Sequence, residues 1–285
     1  MQTNIGSTIK KIRSDKDFSQ KYVVDGVMTQ SAYSKFELNK TDITYSSLAN
    51  ILENLEVTFE EVLYIQNGFK HTEKDAIFKK FISTSYNNEE NIKELFNMAV
   101  SYLHKKDDQL ITDIKSLCEA FLILLYTADT RILQTTVSSV WRRLSDGNQF
   151  YFSDLYLLNS IFYFFPLETM LEIKKLAFKS IERYGDFQNI QRLKINFCVN
   201  ISLMLIKEKC YVEALEEIET AILLSKKQKA YLQLAVCYVR KGICLNCLDN
   251  NGFPWVQKGI ELLTVLEEHE LLQMATVEIN LYSEV

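Results

Sequence analysis

The residues that make tight turns are scarce: the 285-residue chain holds only 8 glycines and 2 prolines. A strand-rich protein of this size needs many sharp reversals of the kind Gly and Pro supply, so their scarcity argues against a sheet fold. It predicts long helices joined by short polar connections. Histidine is nearly missing as well. His71, His104 and His269 are dispersed and match no metal-ligand or triad spacing. The chain has no G-x-G-x-x-G and no P-loop pattern, which removes the common nucleotide-binding signatures. No apolar run approaches the ~18 residues that a membrane-spanning helix requires. The richest stretch, Leu155 to Leu167, is interrupted by Asn159 and Ser160. Met1 to Asp15 is polar and lacks the apolar core of a secretion signal. These gaps lead to the expectation of an all-α, cytoplasmic chain that is not an enzyme, has no membrane partner, and needs no metal or cofactor.

What is present supports an ordinary folded core, with 47% hydrophobic and 24% charged residues. The six cysteines (Cys118, Cys198, Cys210, Cys237, Cys244, Cys247) sit mostly in apolar helical stretches, as buried thiols do. Cys244 and Cys247 form a C-x-x-C, but no second pair or paired histidines complete a zinc site, and the pair falls late in a predicted helix. Structural thiols are the reading there. The net charge of -5 is unevenly spread: residues 1–40 carry seven Lys or Arg against four Asp or Glu. A basic start on an acidic body suits a small phosphate-contacting head.

Periodicity divides the chain in two. Ile5, Ile9 and Ile12 form one helix face. Ser19 is placed to cap a second helix from Gln20 to Val24, Asp25-Gly26 is a turn, and a third helix runs from about Thr29 to Leu38. Leu48, Ile51, Leu52 and Leu55 mark a fourth. Thr58 and Glu61 have capping-box spacing for a fifth. Residues 1–66 therefore read as a compact five-helix domain, 67–74 as a linker, and 75–285 as a domain of longer helices. The helices expected in the second part cover about 75–86, 89–104, 108–127, 130–145, 153–165, 168–184, 188–207, 211–226, 229–247 and 254–268, with a tail of undecided structure to Val285. Ala221-Ile222-x-Leu224 recurs as Gly259-Ile260-x-Leu262, each after a helix rich in small residues. Such repetition resembles a degenerate tetratricopeptide-like array, an α-solenoid. A non-repeating bundle is the alternative.

The segment Phe18-Ser19-Gln20 … Met28-Thr29-Gln30-Ser31-Ala32-Tyr33-Ser34-Lys35-Phe36-Glu37 resembles the helix-turn-helix of the phage-repressor (XRE) class. The start of a recognition helix is what reaches base edges, so polar residues belong there. The Gln30 carboxamide matches adenine N6 and N7, and the Ser31 hydroxyl both donates and accepts. Ser34 shares their polar run. Gln20, with Ser19 at the start of the preceding helix, suits a phosphate, and Arg13, Lys21 and Lys35 are further phosphate candidates. Tyr33 reads equally well as a base or sugar contact and as packing. Phe36 reads as core. Capping alone would account for any one of these polar residues, but not for their joint spacing. The glycine usual after the recognition helix is replaced by Leu38-Asn39, and Asn tolerates the left-handed turn required.

A repressor-like head on a tetratricopeptide-like body resembles the Rgg (GadR/MutR) family of regulators. Ser31-Ala32-Tyr33-Ser34-Lys35-Phe36-Glu37 followed by Asp42-Ile43-Thr44-Tyr45-Ser46-Ser47-Leu48 is similar to the family's S-x-x-S-R-F-E … I-x-x-x-x-L run, with Lys35 in place of Arg. The resemblance implies a homodimer on a near-palindromic site in double-stranded promoter DNA. It also implies a short hydrophobic peptide pheromone in the concave repeat surface, as in quorum sensing.

Arg192, Asn196 and Asn200, spaced by four, share one helix face. Carboxamides both donate and accept and so suit a peptide backbone, while Arg192 suits a terminal carboxylate. Asn159 is a candidate from a neighbouring repeat, with Tyr156 and Phe162 or Tyr163 as apolar wall. Inter-helix contacts are the bland alternative for these asparagines. Lys226-Lys227-Gln228-Lys229 reads as a solvated turn. Against the regulator stand a repeat scaffold with a vestigial head, and a regulator of a non-peptide ligand. DNA binding that depends on salt and sequence separates the regulator from the scaffold.

Overall fold

The computed structural model describes residues 4–84, 88–127, 130–147 and 149–282. Every regular element among them is helical, as the scarcity of turn residues requires. The chain clusters into two compact units, residues 1–111 and 112–285.

The first unit begins with five short helices: α1 (Ile5–Asp15), α2 (Gln20–Val23), α3 (Gln30–Glu37), α4 (Tyr45–Asn54) and α5 (Phe59–Gln66). Ile9, Val23, Tyr33, Phe36, Ile51, Leu55 and Val62 close one core among them. Side-chain caps define where the helices start. The hydroxyls of Ser19, Thr29, Thr44 and Thr58 each accept a hydrogen bond from the backbone N–H three residues on. Asn39 ends α3 in the left-handed conformation, at φ 56°, and its side-chain oxygen accepts from the Ser7 N–H at 3.2 Å. Gly6 is a position where no side chain fits, because an added Cβ would collide with the Phe36 carbonyl. That close approach lays α3 directly on α1. Two further helices complete the unit, α6 (Glu73–Ser83) and the longer α7 (Glu89–Leu103).

The second unit continues with α8 (Gln109–Thr127, beginning in the first), α9 (Thr130–Ser145), α10 (Phe152–Ile161), α11 (Leu167–Tyr184), α12 (Gln191–Lys207), α13 (Tyr211–Gln228), α14 (Tyr231–Cys247), α15 (Phe253–Val265) and α16 (His269–Tyr282). From α11 to α16 each helix packs on its successor along most of the run, and α10, α12, α14 and α16 also touch one another in a row. That double adjacency is the mark of stacked helical hairpins. Gly259 lies against Ala235 and Val239 so closely that a Cβ there would clash, so small residues set the spacing of α14 and α15.

Two elements differ from expectation. The helix expected over 153–165 stops at Ile161 and tightens into a 3-10 turn, Phe162–Phe164. Pro166 disfavours the helical conformation in the residue before it, and Phe165 is extended accordingly (φ -94°, ψ 156°). Residues 269–282, whose structure the periodicity left open, form α16. The end of the helix expected over 75–86 falls partly on residues 85 and 86, outside the described residues. Cys118, Cys198, Cys237 and Cys244 are buried, and burial pushes each thiol up to about 12, a state of low reactivity. No described helix is long and apolar enough to cross a membrane.

Candidate DNA-reading edge and ligand groove

Helix α3 has two unlike faces. Gln30, Ser31, Ala32 and Lys35 are exposed and Ser34 is half-buried, while Tyr33, Phe36 and Glu37 point into the core. The Thr29 hydroxyl caps the helix at the Ala32 N–H, 3.3 Å away, so the polar pair Gln30-Ser31 stands at the helix start. A groove of about 490 Å³ opens beside it, lined by Met28, Ser31, Lys35, Thr41, Thr44 and Ser47 among others.

A chain of hydrogen bonds rooted in the buried Glu37 carboxylate runs to this edge. Glu37 receives the Arg13 guanidinium two-pronged, Nε at 2.6 Å and Nη2 at 3.2 Å. The third prong of Arg13 donates to the Phe18 carbonyl at 2.8 Å. The Gln20 amide donates to the second Glu37 oxygen at 2.7 Å, and the Gln30 amide reaches the Gln20 carbonyl oxygen at 3.4 Å. The chain thus runs from α1 through the end of α3 and the start of α2 to the start of α3. Burial alone would raise the Glu37 pKa. The hydrogen bonds from Arg13 and Gln20, with the Arg13 charge, outweigh burial and hold it below the ordinary glutamate value. Tyr33 packs beside this pair with its hydroxyl buried and without a hydrogen-bond partner of good geometry. Burial chiefly drives its pKa upward.

These positions correct two of the expected DNA contacts. Tyr33 has 0% exposure and cannot reach a base, so packing is its role. Each of the three guanidinium nitrogens of Arg13 donates a hydrogen bond inside the domain and the side chain is only 14% exposed, so Arg13 organises the head instead of standing free for a phosphate. Ser19 uses its oxygen to cap α2 at the Tyr22 N–H, 3.1 Å away. Gln20 is half-buried and tied to Glu37, whereas Lys21 is exposed. The positioning role of Glu37 was missed by sequence reasoning. Its sign opposes DNA, and its partner lies 24 residues away, beyond the range of any helical spacing.

In the second unit, the expected groove residues fall on α10, on the 3-10 turn that follows it and on α12, elements that pack on one another. Tyr156 on α10 lies near enough to Arg192 on α12 to feel its charge. Asn196 accepts from Gln233 of α14 at 3.5 Å. Asn159 presents a buried side-chain oxygen with no hydrogen-bond partner. Tyr163 lies under Lys207, whose ammonium is 4.6 Å from the ring centre and donates to the phenol oxygen. Phe162, the other candidate for the wall, is fully buried against Phe197 and serves as core. Arg240 escaped sequence reasoning altogether. It is buried in α14, holds Glu278 of α16 two-pronged at 2.8 and 2.7 Å, and donates to the Val199 carbonyl of α12 at 2.5 Å. One guanidinium therefore ties together three helices of the row.

The fold and these two sites define the class: a helix-turn-helix head on a helical-repeat body. Residues 148–276 match the C-terminal domain family of the HTH-type transcriptional regulator Rgg. Among curated proteins no sequence match is found. Solved structures match over nearly the whole chain. A candidate transcriptional regulator from Listeria monocytogenes EGD-e is similar at a TM-score of 0.80 and 19% identity, covering 100% of this chain and 98% of that one. The SHP pheromone receptor Rgg2 of Streptococcus dysgalactiae is similar at 0.73 and 19% identity, covering 99% and 100%. PlcR of Bacillus thuringiensis, solved with the peptide PapR7 and DNA, is similar at 0.71 and 17% identity, covering 95% and 98%. At such identities the likeness establishes the fold.

Proposed function

We propose that this chain is a sequence-specific transcription regulator whose DNA binding is controlled by a short intracellular peptide, acting as a cytoplasmic homodimer on a near-palindromic promoter site. The division of labour is the one the periodicity suggests: residues 1–66 read DNA, 67–74 connect, and 75–285 bind ligand and dimerise. One observation carries the reading. Gln30 and Ser31 stand exposed at a capped helix start, and a chain of hydrogen bonds from the buried Glu37 through Gln20 ends on the Gln30 amide. Base readout requires polar groups held rigidly at the protein surface. Gln30 and Ser31 are the base contacts in this reading, with Ser34 at their flank. Lys21, Lys35 and the start of α2 around Ser19 and Gln20 serve the phosphates. Arg192, Asn196, Asn200, Asn159, Tyr156 and Tyr163 line the peptide groove. The Rgg family match and the peptide and DNA bound by PlcR support the assignment.

The test pairs selection of binding sites from random DNA with peptide titration. The reading expects an enriched near-palindrome whose affinity changes when a peptide is added and falls steeply with salt. Asn196→Ala with Asn200→Ala weakens peptide binding at least tenfold while the thermal midpoint stays unchanged. A chain that enriches no sequence with or without peptide overturns the regulator reading. Unaltered peptide affinity in the double variant removes the asparagines from the site.

A further inference from the structure

The side of α14 that meets α16 carries a pair of thiols. At about 100° per residue, Arg240, Cys244 and Cys247 lie along one stripe of α14. Helix α16 answers the two ends of that stripe with residues four apart. Glu278 takes the Arg240 guanidinium, and the Tyr282 carbonyl accepts from the Cys247 thiol at 3.1 Å. Tyr282 is the last residue of α16, where helix carbonyls have no partner within the helix, so the thiol caps that end. The two cysteines are unlike. Cys244 is fully buried, whereas Cys247, the last residue of α14, is partly exposed. The Tyr211 phenol at the start of α13 lies within electrostatic reach of both; burial first, then Cys247 and Cys244, push its pKa up. Among the described residues no third His, Cys, Asp or Glu joins them as a metal-ligand group.

Thiols three residues apart on a helix fall just short of bonding distance. Their Cβ atoms stand about 5–6 Å apart, and a disulfide needs about 3.5–4.5 Å. Closing the bond therefore draws the Cys247 side chain about 1 Å toward Cys244. It also removes the hydrogen that the Tyr282 carbonyl receives. Because Cys247 is the last helical residue, the tightening falls on a single turn.

We propose that Cys244 and Cys247 form a peroxide-sensitive dithiol whose oxidation uncaps the end of α16. The partly exposed Cys247 reacts first. Its sulfur takes one oxygen of hydrogen peroxide to become a sulfenic acid, the O–O bond breaks, and the other oxygen leaves as water. Cys244 then gives up its proton and attacks the Cys247 sulfur. The S–S bond forms as the S–O bond breaks, and the departing hydroxide leaves with that proton as a second water. Two thiols and one peroxide thus become a disulfide and two waters. Burial, then Cys247, push the Cys244 thiol up to about 12, so the second step is slow at neutral pH and quickens as pH rises. The Arg240–Glu278 pair survives oxidation, so α16 stays attached while its last turn loosens. This control goes beyond the peptide reading and does not depend on it.

The test treats the full-length chain with hydrogen peroxide, in a Cys210→Ser background that removes the other partly exposed thiol. Mass spectrometry of the intact chain and its peptides follows the thiols, and hydrogen exchange follows α16. The expected product has lost two hydrogens, carries a Cys244–Cys247 disulfide and is restored by dithiothreitol. In that product the last turn of α16 exchanges about tenfold faster than in the reduced chain. Cys247→Ser keeps a donor for the Tyr282 carbonyl, so its α16 should exchange like the reduced chain with or without peroxide. Cys244→Ser should stop at the Cys247 sulfenic acid, which dimedone labels. Failure of the disulfide to form overturns the proposal, as does a disulfide between any other two cysteines. A Cys244–Cys247 disulfide that leaves α16 exchange unchanged also overturns it. The mapping and exchange of the chain with both thiols intact decide the matter even if Cys247→Ser misfolds. Neither DNA nor peptide enters the experiment, so its outcome is separate from that of the regulator reading.

Discussion

The head and the body both bury an arginine in a two-pronged carboxylate pair, yet the two pairs serve different ends. In the head, Arg13 and Glu37 sit at the root of a hydrogen-bonded chain that finishes at Gln30 on the surface. In the body, Arg240 and Glu278 lie at the junction of α12, α14 and α16 and end on a backbone carbonyl inside the row. The first pair aims a side chain; the second fixes the spacing of helices. Buried charges are costly unless matched, so each pair constrains its surroundings strongly. What they constrain is decided by the third partner: an amide with a free end in the head, a helix carbonyl in the body.

Breaking the pairs separates these roles. Arg240→Ala leaves Glu278 poorly matched and should destabilise the body by about 3–5 kcal/mol, read as a lowered midpoint in chemical denaturation. A loss below about 1 kcal/mol would deny the arginine its tie across the row. Glu37→Gln should cost the head less, about 1.5–3 kcal/mol near neutral pH. That difference depends on acidity in a definite direction. The Glu37 pKa is lowered in the folded state, so its contribution is complete above the ordinary glutamate value of about 4.3. It is lost as pH falls through the lowered folded value. Melting curves of the two proteins should therefore converge in acid, and a constant gap down to about pH 2 would contradict the assignment. The smallest effect belongs to the exposed edge. Lys35→Ala leaves stability unchanged and reduces the salt slope of DNA binding by about one unit. An unaltered slope would take Lys35 off the phosphates.

How much of this was legible in the sequence follows from the range over which each feature acts. Helix caps are local, so Ser19, the turn at Asn39 and the Thr58 cap were readable from neighbouring residues. The same locality made the exposed start of α3 visible. Tyr33 was ambiguous because an aromatic residue three positions after Gln30 lies where the helix turns from solvent to core, and only the seating of α3 on α1 settles which side it takes. Arg13 looked like a phosphate contact because a basic residue near a helix-turn-helix carries the right charge. Its partner, 24 residues on, was invisible to any short-range rule. In the body, the asparagine spacing on α12 was legible, but the Arg240 tie spans elements 38 to 41 residues apart. The break at Ile161 could have been anticipated from Pro166, whose effect on the preceding residue is local.

The direct test of the reading edge is a competition titration of Gln30→Ala with Ser31→Ala against the parent chain, using a selected site and random duplex at the same salt. The double variant should lose roughly 1–3 kcal/mol of discrimination per base contact removed while its affinity for random DNA holds. Equal discrimination by the two proteins would mean that the start of α3 does not read bases.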